Sequence, residues 1–275
     1  MSGIRDVSGD ILQLLCSTRW GDSDVSHSVF EISPRNERRL LAQCGFAAVS
    51  LWALDVLLTE CEIRRADATV TFYRCISRMP YATSLRGHVF RRQVLKHLDS
   101  LHSEHVFPME GLTSFKETEW TYRGPIRRFN FLQDLDFIDE LTKAVQNEKP
   151  LHLVPLARDF EALDSIIYDP KEALLTCYQN TIYGEQDILV SDLQRIQSWL
   201  KDDTPLAGLR SSKRRPWRFI FIVPPDDEPF EPQRVKGDTA QGEWAGKVHQ
   251  ICVNVGCTRG RKREQLDLGD SDVDS

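Results

Sequence analysis

The residues with the clearest chemical promise lie in one stretch, FEALDSIIYDPKEALLTCYQNTIYG, residues 160–184. Asp164 interrupts an apolar run from Phe160 to Tyr168. A carboxylate there must reach solvent, a cation or several donors, because an unpaired buried charge is very costly. Asp169-Pro170-Lys171-Glu172 supplies turn chemistry that sends the chain into a second run, Ala173 to Tyr183, and the pair predicts a β-hairpin. Alternation on the second strand puts Leu175, Cys177, Gln179 and Thr181 on one face, and Thr176, Tyr178, Asn180 and Ile182 on the other. Polar atoms therefore occur on both faces late in the strand, opposite an acid, which suits a divalent ion or a phosphate. An Asp at an exposed strand end, holding nothing, is the plainer reading of the same residues.

The elements that would position this hairpin follow from the flanking pattern. Ser191 and Gln194 form a capping box, and Leu193, Ile196 and Leu200 share a helical face until Asp203-Thr204-Pro205. Trp217 to Val223 is a continuous apolar run between prolines, of the kind buried on both faces of a sheet. The order is thus strand, strand, helix, strand. Upstream, Ser84 caps a helix to Leu101 with Phe90, Val94, Leu98 and Leu101 as its stripe, flanked by Arg86, Arg91, Arg92 and Lys96. Those cations suit phosphate contact, or simply a solvated face. Glu117 to Phe131 alternates around Arg123-Gly124-Pro125 and reads as another hairpin, with Trp120, Tyr122, Arg127 and Arg128 suited to stacking and phosphate contact or to a sheet edge. Phe137, Leu141 and Val145 mark a helix before Pro150, followed by a strand at Leu151 to Val154. Residues Asp6 to Met79 read as largely helical: Ile11, Leu12, Leu14 and Leu15 make a short amphipathic piece, and Arg39 to Leu58 one or two buried helices.

The words FEALDSIIYDP, LLTCYQNTI, VSDLQRIQSWLK, RPWRFIFIVPP and WAGKVHQ, in that order, resemble the C-terminal nuclease-like domain of fungal Crinkler and retrotransposon-hot-spot-type proteins. That domain is similar to the restriction-endonuclease fold of the PD-(D/E)xK class. The resemblance implies an α/β module over residues 83–256, a mixed sheet flanked by helices. Before it, residues 1–82 resemble the end of an ATPase region as a helical segment; after it, residues 257–275 form a disordered tail. It further implies a nuclease holding Mg²⁺ through Asp164 and Gln179, with Thr181 at the position of the catalytic Lys. Gln179 brings no charge and Thr181 no ammonium to lower the pKa of an attacking water. Two readings stay open: a metal-dependent or degenerate nuclease, with a basic residue such as Lys171, Lys201 or Lys213 arriving from elsewhere, and a non-catalytic module that binds nucleic acid or a protein.

Composition bounds both readings. At 275 residues with 41% hydrophobic content a packed core is expected, and a net charge of -6 argues against a wholly basic, nucleic-acid-coating protein. Local basic runs remain: Lys213, Arg214 and Arg215 before the last apolar run, and residues 260–263, either as phosphate contacts, a nuclear-import patch or solvated surface. Seven cysteines without regular spacing read as reduced thiols, and with no signal-peptide or membrane-spanning run the expectation is a soluble, intracellular protein. Gly242 to Val248 lacks the spacing and the Ser or Thr of a phosphate loop, which excludes nucleotide hydrolysis by that route. His88, His97, His102 and His105 do not share one helical face with a carboxylate and predict no metal site.

Overall fold

Short β-branched runs bounded by turns become strands here, and amphipathic stretches between them become helices. The computed structural model describes residues 30–34, 44–48, 51–64, 68–77, 82–113, 118–156, 163–182, 184, 186–224, 230–237 and 243–255. Strands β1 (Phe30–Pro34) and β2 (Cys44–Ala48) pair antiparallel, ahead of helices α1 (Leu51–Arg64), α2 (Ala68–Ser77) and α3 (Thr83–Ser100). Then come β3 (Glu104–Gly111), β4 (Glu119–Arg123), β5 (Arg127–Phe131), α4 (Asp134–Gln146), β6 (Leu151–Pro155), β7 (Ser165–Asp169) and β8 (Leu174–Asn180). The chain continues through β9 (Ile188–Leu189), α5 (Val190–Trp199), β10 (Trp217–Val223), β11 (Val235–Lys236) and β12 (Val248–Asn254). The architecture is α/β: one mixed sheet in the order β4-β3-β12-β10-β8-β7-β6-β5, flanked by helices.

β10 runs parallel to both β8 and β12, and its near-continuous apolar sequence follows from burial on both faces. On one face α4 and α5 set Phe137, Leu141, Leu193 and Ile196 against Leu153, Ile166, Leu175, Cys177 and Phe219. On the other, Phe90, Val94 and Leu98 of α3 meet Ile167, Tyr178, Ile220 and Ile251 together with Phe107 and Trp120 of the β3–β4 ribbon. The back of α3 carries Leu85 and Val89, which pack with Leu54, Leu58, Phe72 and Ile76 of α1 and α2. No described helix is long and apolar enough to cross a membrane.

The sheet curls. β4 and β5 are joined by residues 124–126 alone, yet they stand at opposite ends of the strand order. Flat, those strands would lie about 34 Å apart, whereas so short a link reaches at most about 14 Å. β4 therefore folds across β7 and β8: the Trp120 ring lies 5.4 Å from that of Tyr178, and Arg123 pairs with Asp169 and Glu172.

Several local expectations are corrected. The hairpin over Glu117 to Phe131 does not form, because β4 pairs with β3 and β5 pairs in parallel with β6 through α4. Ser191 and Ser84 do not cap: α5 starts at Val190 after Leu189, and α3 after Ala82, neither with a side-chain cap bond. The apolar stretch Arg39 to Leu58 includes a strand, Cys44–Ala48, where a glycine weakens the helix and the partner run FEISP offers a ladder. Ile11, Leu12, Leu14, Leu15, Phe160, Gly242, Cys16, Cys257, residues 260–263 and the acidic tail lie outside the described residues.

Candidate functional site

Asp164 stands at the entrance to β7, where its N–H donates to the Tyr178 carbonyl at 2.8 Å. One carboxylate oxygen accepts from the Asn180 main-chain N–H at 2.6 Å and from its side-chain Nδ2 at 3.1 Å. The other lies 3.1 Å from Nη1 of Arg91, whose Nη2 also donates to the Asp164 carbonyl at 3.2 Å. Asn180 is reached because alternation along β8 turns it to the side of Tyr178, the face on which α3 packs. Burial pushes the Asp164 carboxyl above its ordinary value, while the Arg91 charge and the two Asn180 donors pull the other way.

Gln179 is buried, and alternation places it with Leu175 and Cys177, on the face covered by α4 and α5. Its Oε1 has no hydrogen-bond partner. Thr181 follows the strand, is buried as well, and its N–H donates to the Ile222 carbonyl at 3.0 Å. The sheet thus separates the Gln179 amide from the Asp164 carboxylate, which is already neutralised by Arg91. These residues do not fit a hydrated Mg²⁺, which needs at least one carboxylate oxygen free to coordinate, because both oxygens of Asp164 are engaged by Arg91 and Asn180. Among the described residues no group of three or more His, Cys, Asp or Glu side chains is placed to hold a metal.

The lysines nominated as a replacement base do not adjoin Asp164. Lys171 lies in the turn after β7 and Lys213 in the turn before β10, both at the opposite ends of the strands, and Lys201 follows α5.

The basic stripe on α3 is also accounted for within the chain. Arg92 Nη1 lies 3.1 Å from Asp55, and its Nη2 reaches Thr59 at 2.7 Å and Glu62 at 3.3 Å, all on α1. Lys96 pairs with Glu62, and His88 Nε2 lies 3.1 Å from Asp55. Burial raises the Asp55 carboxyl, but the hydrogen bonds and charges of His88 and Arg92 outweigh it and hold the group below its usual range. Arg91, Arg92 and Lys96 therefore tie α3 to the rest of the fold instead of presenting a free row to phosphates. Asp55, Thr59 and Glu62 recur at helical spacing inside an apolar stretch, a signal that would have revealed the contact.

Lys213, Arg214 and Arg215 are exposed, in a turn closed by paired bonds between Ser212 and Arg215. His152, which no motif or spacing in the sequence marks, is fully buried on β6 between Arg128 and Ile167, with both ring nitrogens unpartnered. Burial and the nearby Arg128 charge push its pKa down to about 3. No family model, no curated protein and no solved structure matches this chain.

Proposed function

We propose that this chain carries a restriction-endonuclease-like domain of the Crinkler and retrotransposon-hot-spot type that works as a binding module without metal-dependent cleavage. The succession α4, β6, β7, β8, α5, β10, with β8 and β10 as parallel neighbours around α5, supports the fold half of this reading. It contains the strand, strand, helix, strand order on which the resemblance rests.

The single observation that carries the functional half is the environment of Asp164. Its carboxylate is bound by Arg91 and by two donors of Asn180. A metal ion entering there would have to displace a guanidinium and leave it without its counter-charge.

The test is incubation of the purified protein with supercoiled plasmid, single-stranded DNA and RNA in Mg²⁺ or Mn²⁺. Product formation no faster than that of Asp164→Asn is expected. Metal-dependent cleavage that disappears in Asp164→Asn overturns the reading.

A further inference from the structure

We infer that the surface at the N-terminal ends of β10 and β12 is a docking surface for the phosphodiester backbone of a nucleic acid, held by Lys213, Arg214, Arg215 and Lys247. The inference rests on the binding-module reading and names its partner. It places that partner at the ends of the strands opposite to Asp164.

Two turns bring the cations together. Residues 212–215 close through Ser212 N–H to Arg215 O and Arg215 N–H to Ser212 O, both at 3.1 Å, and residues 244–247 close through Lys247 N–H to Trp244 O at 3.0 Å. They are neighbours because β10 and β12 run in parallel with Trp217 opposite Val248, and the Trp217 N–H donates to the Lys247 carbonyl at 2.9 Å. Ser211 Oγ donates to the same carbonyl. A Cβ built on Gly246 would lie 3.9 Å from Cγ of Lys213, so the stem of that lysine runs along the second turn.

The four charges are available. Lys213, Arg214 and Arg215 are exposed, and among the described residues no acid forms an ion pair with any of the three or with Lys247. Arg215 Nη1 donates to the Gly208 carbonyl at 2.5 Å, which orients its guanidinium without neutralising it. Lys247 Nζ stands 5.5 Å from the Trp244 ring centroid. Nearby Arg210 is paired with Asp202, and Glu243 is the acid closest in sequence to the second turn.

The surface fits a nucleic acid better than a protein partner. Protein interfaces centre on apolar anchors, and the exposed large apolar side chains among the described residues, Val56, Ile63, Val106, Leu132, Leu135 and Leu156, all lie outside these two turns. Clustered Lys and Arg without such anchors match a backbone of regularly spaced phosphates, whose binding releases condensed counterions.

The experiment is fluorescence anisotropy in EDTA, where cleavage plays no part, using a labelled duplex DNA and a labelled single-stranded RNA of roughly 20 nucleotides, about one to two turns of contact. With three to four phosphates engaged, log affinity should fall against log salt with a slope of about -3. Lys213→Gln/Arg214→Gln should bind at least about 10-fold more weakly at low salt and lose about two units of slope, whereas Lys96→Gln should bind like wild type. Absence of salt-dependent binding, wild-type affinity in the double variant, or equal binding of a polyglutamate peptide overturns the inference. A positive cleavage assay would overturn the non-cleaving reading and leave this measurement standing, so the two failures are distinguishable.

Discussion

Arg91 grips Asp164 twice, with Nη1 3.1 Å from a carboxylate oxygen and Nη2 on the main-chain carbonyl of the same residue at 3.2 Å. The arginine comes from α3 and the acid from the start of β7, so the pair fastens a helix to the sheet. Arg91→Leu leaves a partly buried carboxylate with only Asn180 for company and should cost about 2 kcal/mol. Arg91→Leu/Asp164→Asn should recover much of that loss. A double-mutant cycle from urea denaturation checks it, and additive costs would remove the coupling.

Two glycines should respond in opposite directions. At Gly124, between β4 and β5, an added Cβ would lie 2.2 Å from the Leu101 carbonyl oxygen and 3.0 Å from the Tyr122 ring. Main chain cannot yield easily there, so Gly124→Ala should lose about 3 kcal/mol or fail to fold. Gly87 lies within α3 with nothing inside 4 Å of an added Cβ. Gly87→Ala should gain about 0.5–1 kcal/mol, read as a higher denaturation midpoint.

His152 should make stability depend on pH. Burial first, and the Arg128 charge second, hold its pKa in the folded chain down at about 3, below the ordinary imidazole value of 6.5. The unfolded chain therefore binds more protons between those values, and stability present above pH 6.5 is lost as the pH falls toward 3. The slope from this one group approaches about 1.4 kcal/mol per pH unit. His152→Leu should flatten the profile across that window, and it removes two buried nitrogens that have no partner. An unchanged profile would exclude this histidine as the source.

Glu172 stands between two arginines that come from different strands. One of its oxygens accepts from Arg123 Nη1 of β4 at 3.2 Å and the other from Arg218 Nη1 of β10 at 2.5 Å. Glu172→Gln should cost about 1 kcal/mol at low ionic strength, since the group is partly exposed. The difference should shrink in high salt, as seen from paired melts of wild type and variant.

Much of the fold was legible locally, because continuous apolar runs such as Trp217–Val223, buried on both faces, and helical stripes such as Phe90, Val94 and Leu98, buried on one, announce their elements. Strand partners were less so. The segment around Arg123-Gly124-Pro125 carries every mark of a hairpin, and only the competition from β3 and β6 for the two strands rules it out. At the candidate site, alternation along the second strand placed Gln179 on its face, but nothing along the hairpin indicated the sense of the Asp164 side chain. What decides that sense is a partner 73 positions earlier, Arg91, which composition and spacing along the hairpin do not contain. The same holds for Arg92 and Lys96, whose acids sit on α1.

Residues 248–254 form the last described strand, yet they are inserted between β3 and β10 in the interior of the sheet. While the ribosome has still to release them, β3 and β10 each carry an open ladder of N–H and C=O groups, and Ile220 and Ile222 lack their neighbours Ile251 and Val253. A nascent or prematurely terminated chain thus exposes two sticky seams at once, a state prone to aggregation and in need of chaperone cover. A nonsense codon before residue 248 should therefore send the product to inclusion bodies or proteolysis.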